Sequence, residues 1–485
     1  MNKSILSFII YLFFCLIQKQ SIAQEKPNVL FISIDDLNDY IACMEGSIRI
    51  PTPNIDRLLK SGTLFTNAHC QAPICGPSRA SLLSGLYPTS SGNYLQVSDK
   101  DIKKSNEKIK SATFLPDYFE QNGYRTFGAG KVFHQGDKAL VFDEFGTSHI
   151  KDLMGPKPET RFKYAPIPKK GVEMTQTDWG PYPDADSLMT DYISAEWVIE
   201  KLKKEHDKPF FMALGFVRPH VPLYAPQKWF DMFPIEKIKT PPYLKSDLDD
   251  VPAMGIRVAD APMMPTTEML IKNGQWPEVI QAYSACVAFV DAQLGKVLDQ
   301  LENSKYANNT VIVLWADHGY HLGEKNRFAK QALWERDTRT VLIINDKRNP
   351  SQAQNVDEPV QLLDIYPTLL DICKLPANKM NEGHSLVGLI NKTTKNWPYA
   401  ALSFYGVGNV SIRDKSFRYI QYEDGSNELY DLNKDPNEWK NLASKKVYFK
   451  KIKKLKTSIP EKWADNSPFS KYTFNAYFIE KSNSK

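Results

Sequence analysis

Two stretches of this chain are apolar without interruption and then stop on acidic groups: NVLFISIDD at residues 28–36 and NNTVIVLWADH at 308–318. A strand with water on one side alternates apolar and polar residues, so an unbroken run must be covered on both faces. A parallel sheet between layers of helices provides that cover. In such sheets ligands bind beyond the carboxyl ends of the strands. Asp35, Asp36, Asp317 and His318 are therefore directed toward one edge although they lie far apart in the chain. PFFMALGFVRPH, residues 209–220, is a third strand, ending on basic groups, and TFGAGKVFH, residues 126–134, a weaker fourth. YSACVAFVDAQLGKVLDQLE carries Val287, Val290, Leu294, Val297, Leu298 and Leu301 on one stripe and predicts a core-facing helix. VQLLDIYPTLLDICKL, residues 360–375, predicts another despite its proline. Strands alternating with helices make an α/β domain.

Beyond about residue 395 the pattern shifts to short strands. SFRYIQYEDGSNELYDL contains Asp424-Gly425 as a hairpin turn, and a lysine-rich helix is predicted near 445–463. The reading is a catalytic domain over 24–394 and a small antiparallel C-terminal subdomain over 395–485. Residues 145–190 and 231–277, rich in proline and turn formers, are candidates for site-forming loops. The leader MNKSILSFIIYLFFCLIQKQSIAQ has an early lysine, a short apolar run and small residues at Ser21 and Ala23. It predicts a signal peptide over 1–23 and a periplasmic or secreted protein without stable membrane insertion.

The formal net charge is +5. Lysines cluster at 103–110 and 163–170 but are not interleaved with aromatics, so nucleic acid is not an expected partner. Once Cys15 leaves with the leader, Cys43, Cys70, Cys75, Cys286 and Cys373 remain. The odd number singles out one thiol, and the other four are either disulfide-bonded or buried thiols. Cys75 stands out by context, in CQAPICGPSRASLLSG at 70–85. Pro77 suits a first helical turn, which puts Cys75 at a helix N-terminus, where free N–H groups and the dipole favour an anion. Arg79, one turn on, would offer that anion a bidentate fork.

Cys75-Gly76-Pro77-Ser78-Arg79 followed by Ala80-Ser81-Leu82-Leu83-Ser84-Gly85 resembles the signature of the type I sulfatases of the alkaline-phosphatase superfamily. That resemblance implies a large, mixed, mostly parallel sheet between helices, with a short antiparallel sheet in the smaller C-terminal part. It implies that Cys75 is oxidised to formylglycine (3-oxoalanine) by a formylglycine-generating or anaerobic sulfatase-maturating enzyme. One oxygen of the aldehyde hydrate attacks sulfur, and the other collapses back to the aldehyde and expels sulfate. Asp35, Asp36, Asp317 and His318, with residue 75, would hold a divalent cation. Oxygen ligands favour Ca²⁺, with Mg²⁺ as the alternative, and His318 admits another divalent metal.

GKVFH at 130–134, FVRPHVP at 216–222 and ADHGYHLGEKNRFAK at 316–330 are similar to iduronate-2-sulfatase and its bacterial relatives. By that resemblance Lys131 and His134 contact the formylglycine, while His220 and Lys330 hold the sulfate and the leaving oxygen. His220 is the candidate general acid. Lys131, Lys330 and Arg79 would join the metal in stabilising the nonbridging oxygens, and His134 would take a proton from the hydrate. The expected substrate is a sulfated carbohydrate, with a 2-O-sulfated uronic acid or a sulfated rhamnose of an algal glycan such as ulvan as candidates. A phosphodiesterase or phosphonate monoester hydrolase of the same superfamily is the alternative activity, and a non-catalytic sulfated-glycan binder the alternative class.

Overall fold

Asn28–Ile34 (β1) forms a strand in which every residue is buried. The computed structural model describes residues 26–44, 46–135, 141–147, 152–165, 175–349, 354–472 and 474–483; the expected signal peptide lies outside them. The other strands of the main sheet are Thr63–Phe65 (β2), Arg125–Gly130 (β3), Glu144–Phe145 (β4), Phe210–Phe216 (β5), Thr310–Ala316 (β6), Leu342–Asp346 (β7) and Gln354–Val356 (β8). Their order is β8-β2-β7-β6-β1-β5-β3-β4. β1 runs parallel to β5 and β6, and β3 parallel to β5 and β4. β7 is antiparallel to both its neighbours. The sheet is thus mixed and mostly parallel, as expected.

Both faces are covered. Leu30, Ile32 and Ile34 join one core with the long helix Trp276–Glu302, while Val29, Phe31 and Trp315 join a second with Leu82, Leu83 and Leu369. Every residue of the predicted stripe on that helix, from Val287 to Leu301, is buried. The register pairs Ile34 with Phe216 and Ala316. The residues that follow, Asp35, Val217 and Asp317, therefore leave the sheet side by side at its carboxyl edge.

Two expectations are corrected. Residues 360–375 do not form one helix. Val360–Gln361 are a strand beside Ala68–His69, Leu362–Asp364 a single 3-10 turn, and only Ile365–Ile372 is α-helical. Pro367 falls in the first turn, where its missing N–H has no intrahelical partner to lose. The lysine-rich helix spans only Phe449–Lys456; Pro460 disfavours helical backbone at the residue before it.

The C-terminal strands Ala401–Phe404, Val410–Arg413, Phe417–Gln421 and Asn427–Asp431 form an antiparallel meander. Its last hairpin turns at Asp424-Gly425, with Gly425 at φ 86°. This sheet shares its core with Ile74, Tyr94 and Trp334, and the Phe404 N–H donates to the Gln71 carbonyl at 2.8 Å. It therefore buttresses the segment that leads into Cys75. Cys43, Cys70, Cys75, Cys286 and Cys373 are all free thiols, which settles the open alternative against disulfides among the described residues.

Candidate active site

Cys75 is the first residue of the helix Cys75–Ser84, all ten residues of which are buried. Ile74 precedes it in extended conformation with no side-chain cap, and Gly85 closes the helix at φ 72°. The leading N–H groups thus lack a capping side chain, at the end where the dipole is positive. The Cys75 Sγ accepts from Lys330 Nζ at 3.0 Å and lies 3.3 Å from His318 Nε2. Lys330 Nζ also donates to Asp36 Oδ1 at 2.6 Å, and Lys131 donates to Asp35.

Close backbone approach places Lys131. Its N–H donates to the Gly215 carbonyl at 2.8 Å, and a Cβ on Gly215 would collide with the backbone of Lys131 and Val132. Gly215→Ala is expected to cost about 1–3 kcal/mol through overpacking. It should also lower activity by displacing Lys131, checked by urea denaturation and an aryl sulfate assay on one preparation.

Asp35, Asp36, Asp317 and His318 converge as their strand-end positions predict. Asp35 Oδ, Cys75 Sγ, Asp317 Oδ and His318 N atoms all fall within 4.8 Å of one another, and Asp36, Cys75 and His220 form a second such group. Asp36 turns through a left-handed backbone, φ 58°. Its N–H donates to Asp317 Oδ1 at 3.2 Å, and its carbonyl accepts from Tyr283 Oη at 2.7 Å. Ser78 Oγ donates to the Asp317 carbonyl at 2.5 Å. Tyr283 and Ser78 thus position this cluster, although no reading of the sequence singled them out. Ser78 lies inside the recognised motif, whereas Tyr283 sits among the buried residues of an amphipathic helix where nothing local marks it.

Arg79 departs from expectation. Its guanidinium is fully buried and donates to Asp317 Oδ2 at 2.9 Å, Asp35 Oδ1 at 3.4 Å, Ser33 Oγ at 3.2 Å and the Val132 carbonyl at 3.1 Å, and also to the Lys131 carbonyl. The anion in its fork is a pair of carboxylates belonging to the protein. It braces the cluster from behind and is absent from the cavity wall.

Burial and charge shift these groups strongly. Burial pushes the Cys75 thiol up, but Lys131, Lys330 and His318 outweigh it and hold the thiol well below its ordinary value. Burial also raises Asp35, yet Lys131, His220 and Arg79 bring it below the usual carboxylate range. Asp317 is pushed up to about 7 by burial despite Arg79. For His318, burial works downward and Asp317 upward, leaving the imidazole up at about 9. Closely set buried carboxylates resist ionising together without added positive charge.

The cluster fits a divalent cation on two further grounds. Asp36 Oδ2 is buried and has no hydrogen-bond partner. His318 Nδ1 donates to the Gly319 carbonyl at 2.9 Å, so Nε2, 3.5 Å from Asp36 Oδ1 and 3.6 Å from Asp317 Oδ2, is the ring nitrogen turned to the carboxylates and the one a cation would take in place of a proton.

Cys75 lies on the floor of a cavity of about 730 Å³, which Asp36, Lys131, His134, His220 and Lys330 also line. Both proline-rich segments contribute walls, through Asp152, Met154, Gln176 and Met263. Lys471, Tyr472 and Phe474 close one side. These come from the C-terminal tail, which the Gln96 carbonyl holds through the Lys471 N–H at 3.1 Å; sequence reading missed them. His220 Nδ1 donates to the Val221 carbonyl at 2.6 Å.

Residues 27–375 match the sulfatase family, and residues 323–465 match the C-terminal region of N-sulphoglucosamine sulphohydrolase. A sulfatase from Formosa agariphila is 47% identical over 471 residues, covering 96% of this chain and 92% of that one. Iduronate 2-sulfatase from Homo sapiens is 30% identical over 406 residues, covering 72% and 69%. Among solved structures, BT4656 in complex with its substrate D-glucosamine-2-N,6-O-disulfate superposes with a TM-score of 0.68 at 21% identity, over 89% of this chain and 96% of that one. The phosphonate monoester hydrolase of Agrobacterium radiobacter gives 0.69 at 21%, over 89% and 95%; at such identities the likeness is one of fold. With its family match spanning most of the chain, this protein belongs to the sulfatase family and is a sulfuric ester hydrolase.

Proposed function

We propose that the protein releases inorganic sulfate from a sulfated carbohydrate, with residue 75, converted to formylglycine, as its reactive group. The observation that carries this reading is the placement of Cys75 Sγ, 3.0 Å from Lys330 Nζ on a cavity floor beside buried carboxylates. Sγ marks the position that the oxygens of an aldehyde hydrate would take, and that hydrate supplies an oxygen nucleophile for sulfur. Asp35, Asp36, Asp317 and His318 would hold a divalent cation, Ca²⁺ first and Mg²⁺ second, which supplies charge neutralisation for the anionic ester.

The chain's own groups do the rest. Lys131 and Lys330 face the cavity and neutralise the nonbridging ester oxygens, the kind of fixed electrostatic stabilisation that dominates at such sites. His220 gives a proton to the departing sugar oxygen, an alkoxide too basic to leave unaided, and this contributes on the order of 10²- to 10⁴-fold. His134 takes the hydrate proton. Arg79 keeps Asp35 and Asp317 in place from behind. The cavity falls within the roughly 300–1,000 Å³ of typical small-ligand sites, and its mix of apolar and polar walls suits a sugar ring. The likeness to iduronate 2-sulfatase makes a 2-O-sulfated uronic acid the first glycan to test and a sulfated rhamnose the second. The apolar leader supports export to the periplasm or medium.

Sulfate release from defined sulfated oligosaccharides, run beside matched aryl sulfate and aryl phosphate, tests this reading. Faster turnover of the phosphate would overturn it in favour of the phosphonate or phosphodiester alternative. Mass spectrometry of the peptide spanning residue 75, from the native host, should find the aldehyde; an unmodified thiol in active enzyme would refute its role. Asp36→Asn should weaken divalent-cation affinity by about tenfold or more, read by metal titration. Chelation should abolish activity that Ca²⁺ then restores.

A further inference from the structure

The lysines at 103–110 are a solvated face: Lys103 pairs with Asp117 at 3.9 Å, Lys104 with Asp101 at 2.8 Å, Lys108 with Glu382 at 2.6 Å and Lys110 with Glu107 at 3.1 Å. The stretch KKVYFKKIKKLK at 445–456 is built differently. Only Lys451 pairs, with Asp414 at 2.5 Å. Lys445, Lys446, Lys450, Lys453, Lys454 and Lys456 are exposed and form no ion pair among the described residues. Lys450 and Lys453 are three apart and Lys450 and Lys454 four, so like charges stack on one helix face, an arrangement that destabilises a helix unless counter-charge is supplied.

The opposite side of this helix is already occupied. Leu455 is buried in the C-terminal core, with Tyr448 and Ile452 packed against it. The lysines are thereby held outward at fixed spacing. Phe449, 52% exposed, lies at the border of the basic face, and Val447 is 80% exposed beside it. The chain's overall charge is only +5, so the patch is a local concentration and no mere reflection of a basic protein.

We propose that the basic face of Phe449–Lys456, with Lys445 and Lys446, is a second binding site, for the polymer chain of a sulfated polysaccharide. Charge complementarity decides the occupant: the substrate class proposed above, on which this inference rests, is a polyanion. An aromatic ring at the patch edge suits the C–H face of a sugar. A lipid surface fits less well, because interfacial helices embed a continuous apolar stripe, and here Tyr448, Ile452 and Leu455 are turned into the protein's own core, leaving only Phe449 and Val447 outside. Such a site holds the polymer on the protein while the cavity acts on single sulfate groups.

The test uses the full chain and fluorescent dextran sulfate as probe. K450Q/K453Q/K454Q should weaken binding by about tenfold and flatten its salt dependence, with aryl sulfate hydrolysis unchanged. K103Q/K104Q/K108Q should bind like the parent. Equal binding by the first variant and the parent, or equal losses in both variants, overturns the proposal. So does phosphatidylserine-containing vesicle binding that matches dextran sulfate in strength and is lost with it, which would assign the patch to lipid. Hydrolysis is read separately, so failure of the carbohydrate assignment at the cavity would show as absent sulfate release from glycans while dextran sulfate still binds.

Discussion

Cys75→Ala is expected to fold normally and to lose hydrolysis of an aryl sulfate by about 10⁴-fold or more, the scale set by removing a covalent nucleophile. Folding should survive because the thiol makes no packing contribution that alanine lacks beyond a single sulfur. Lys330 also retains its partner, Asp36. Cys70 is the control. It too is fully buried, five residues before the motif, but its Sγ points to the Asp337 carbonyl at 3.8 Å and is absent from the cavity lining. Cys70→Ala should retain activity with a modest stability loss. Thermal melts and initial rates on both variants separate the outcomes, and an active Cys75→Ala enzyme would remove residue 75 from the chemistry.

Arg79→Ala should be the most destabilising single change at the site. It leaves Asp35 and Asp317 buried without their shared guanidinium, and breaking a buried ion pair in this way costs about 3–5 kcal/mol. Activity should fall with stability, because the same carboxylates shape the cation site. Arg79→Lys should recover part of the stability, since it keeps the charge but not the fork. Denaturant melts and Michaelis parameters provide the check. A variant of unchanged stability with a raised KM would show that Arg79 grips substrate, contrary to its observed contacts.

How far these features could be read in advance depended on how local their causes are. Unbroken apolar runs demand cover on both faces, and β1, β5 and β6 obey that demand. Adjacent parallel strands in register then bring Asp35 and Asp317 together without further instruction. The direction of Arg79 was not legible, because a bidentate fork accepts a carboxylate as readily as a sulfate and the motif contains no sign of which is nearer. Val360–Gln361 read as helix because a short apolar run has no distinctive period; pairing with Ala68–His69 made it a strand. The tail at Lys471 and Tyr472 could not be placed on the cavity wall, since nothing local marks a contact with Gln96.

Chain chemistry alone settled the α/β class, the acidic strand ends, the helix start at Cys75 and the family resemblance, because each follows from burial, backbone stereochemistry or a contiguous motif. The tertiary structure decided which anions Arg79 binds, which cysteines stay apart, which distant segments wall the cavity and which lysines find no carboxylate. Those outcomes depend on what a side chain meets after collapse, and a charge or a thiol carries no information about its neighbours until the backbone has brought them within reach.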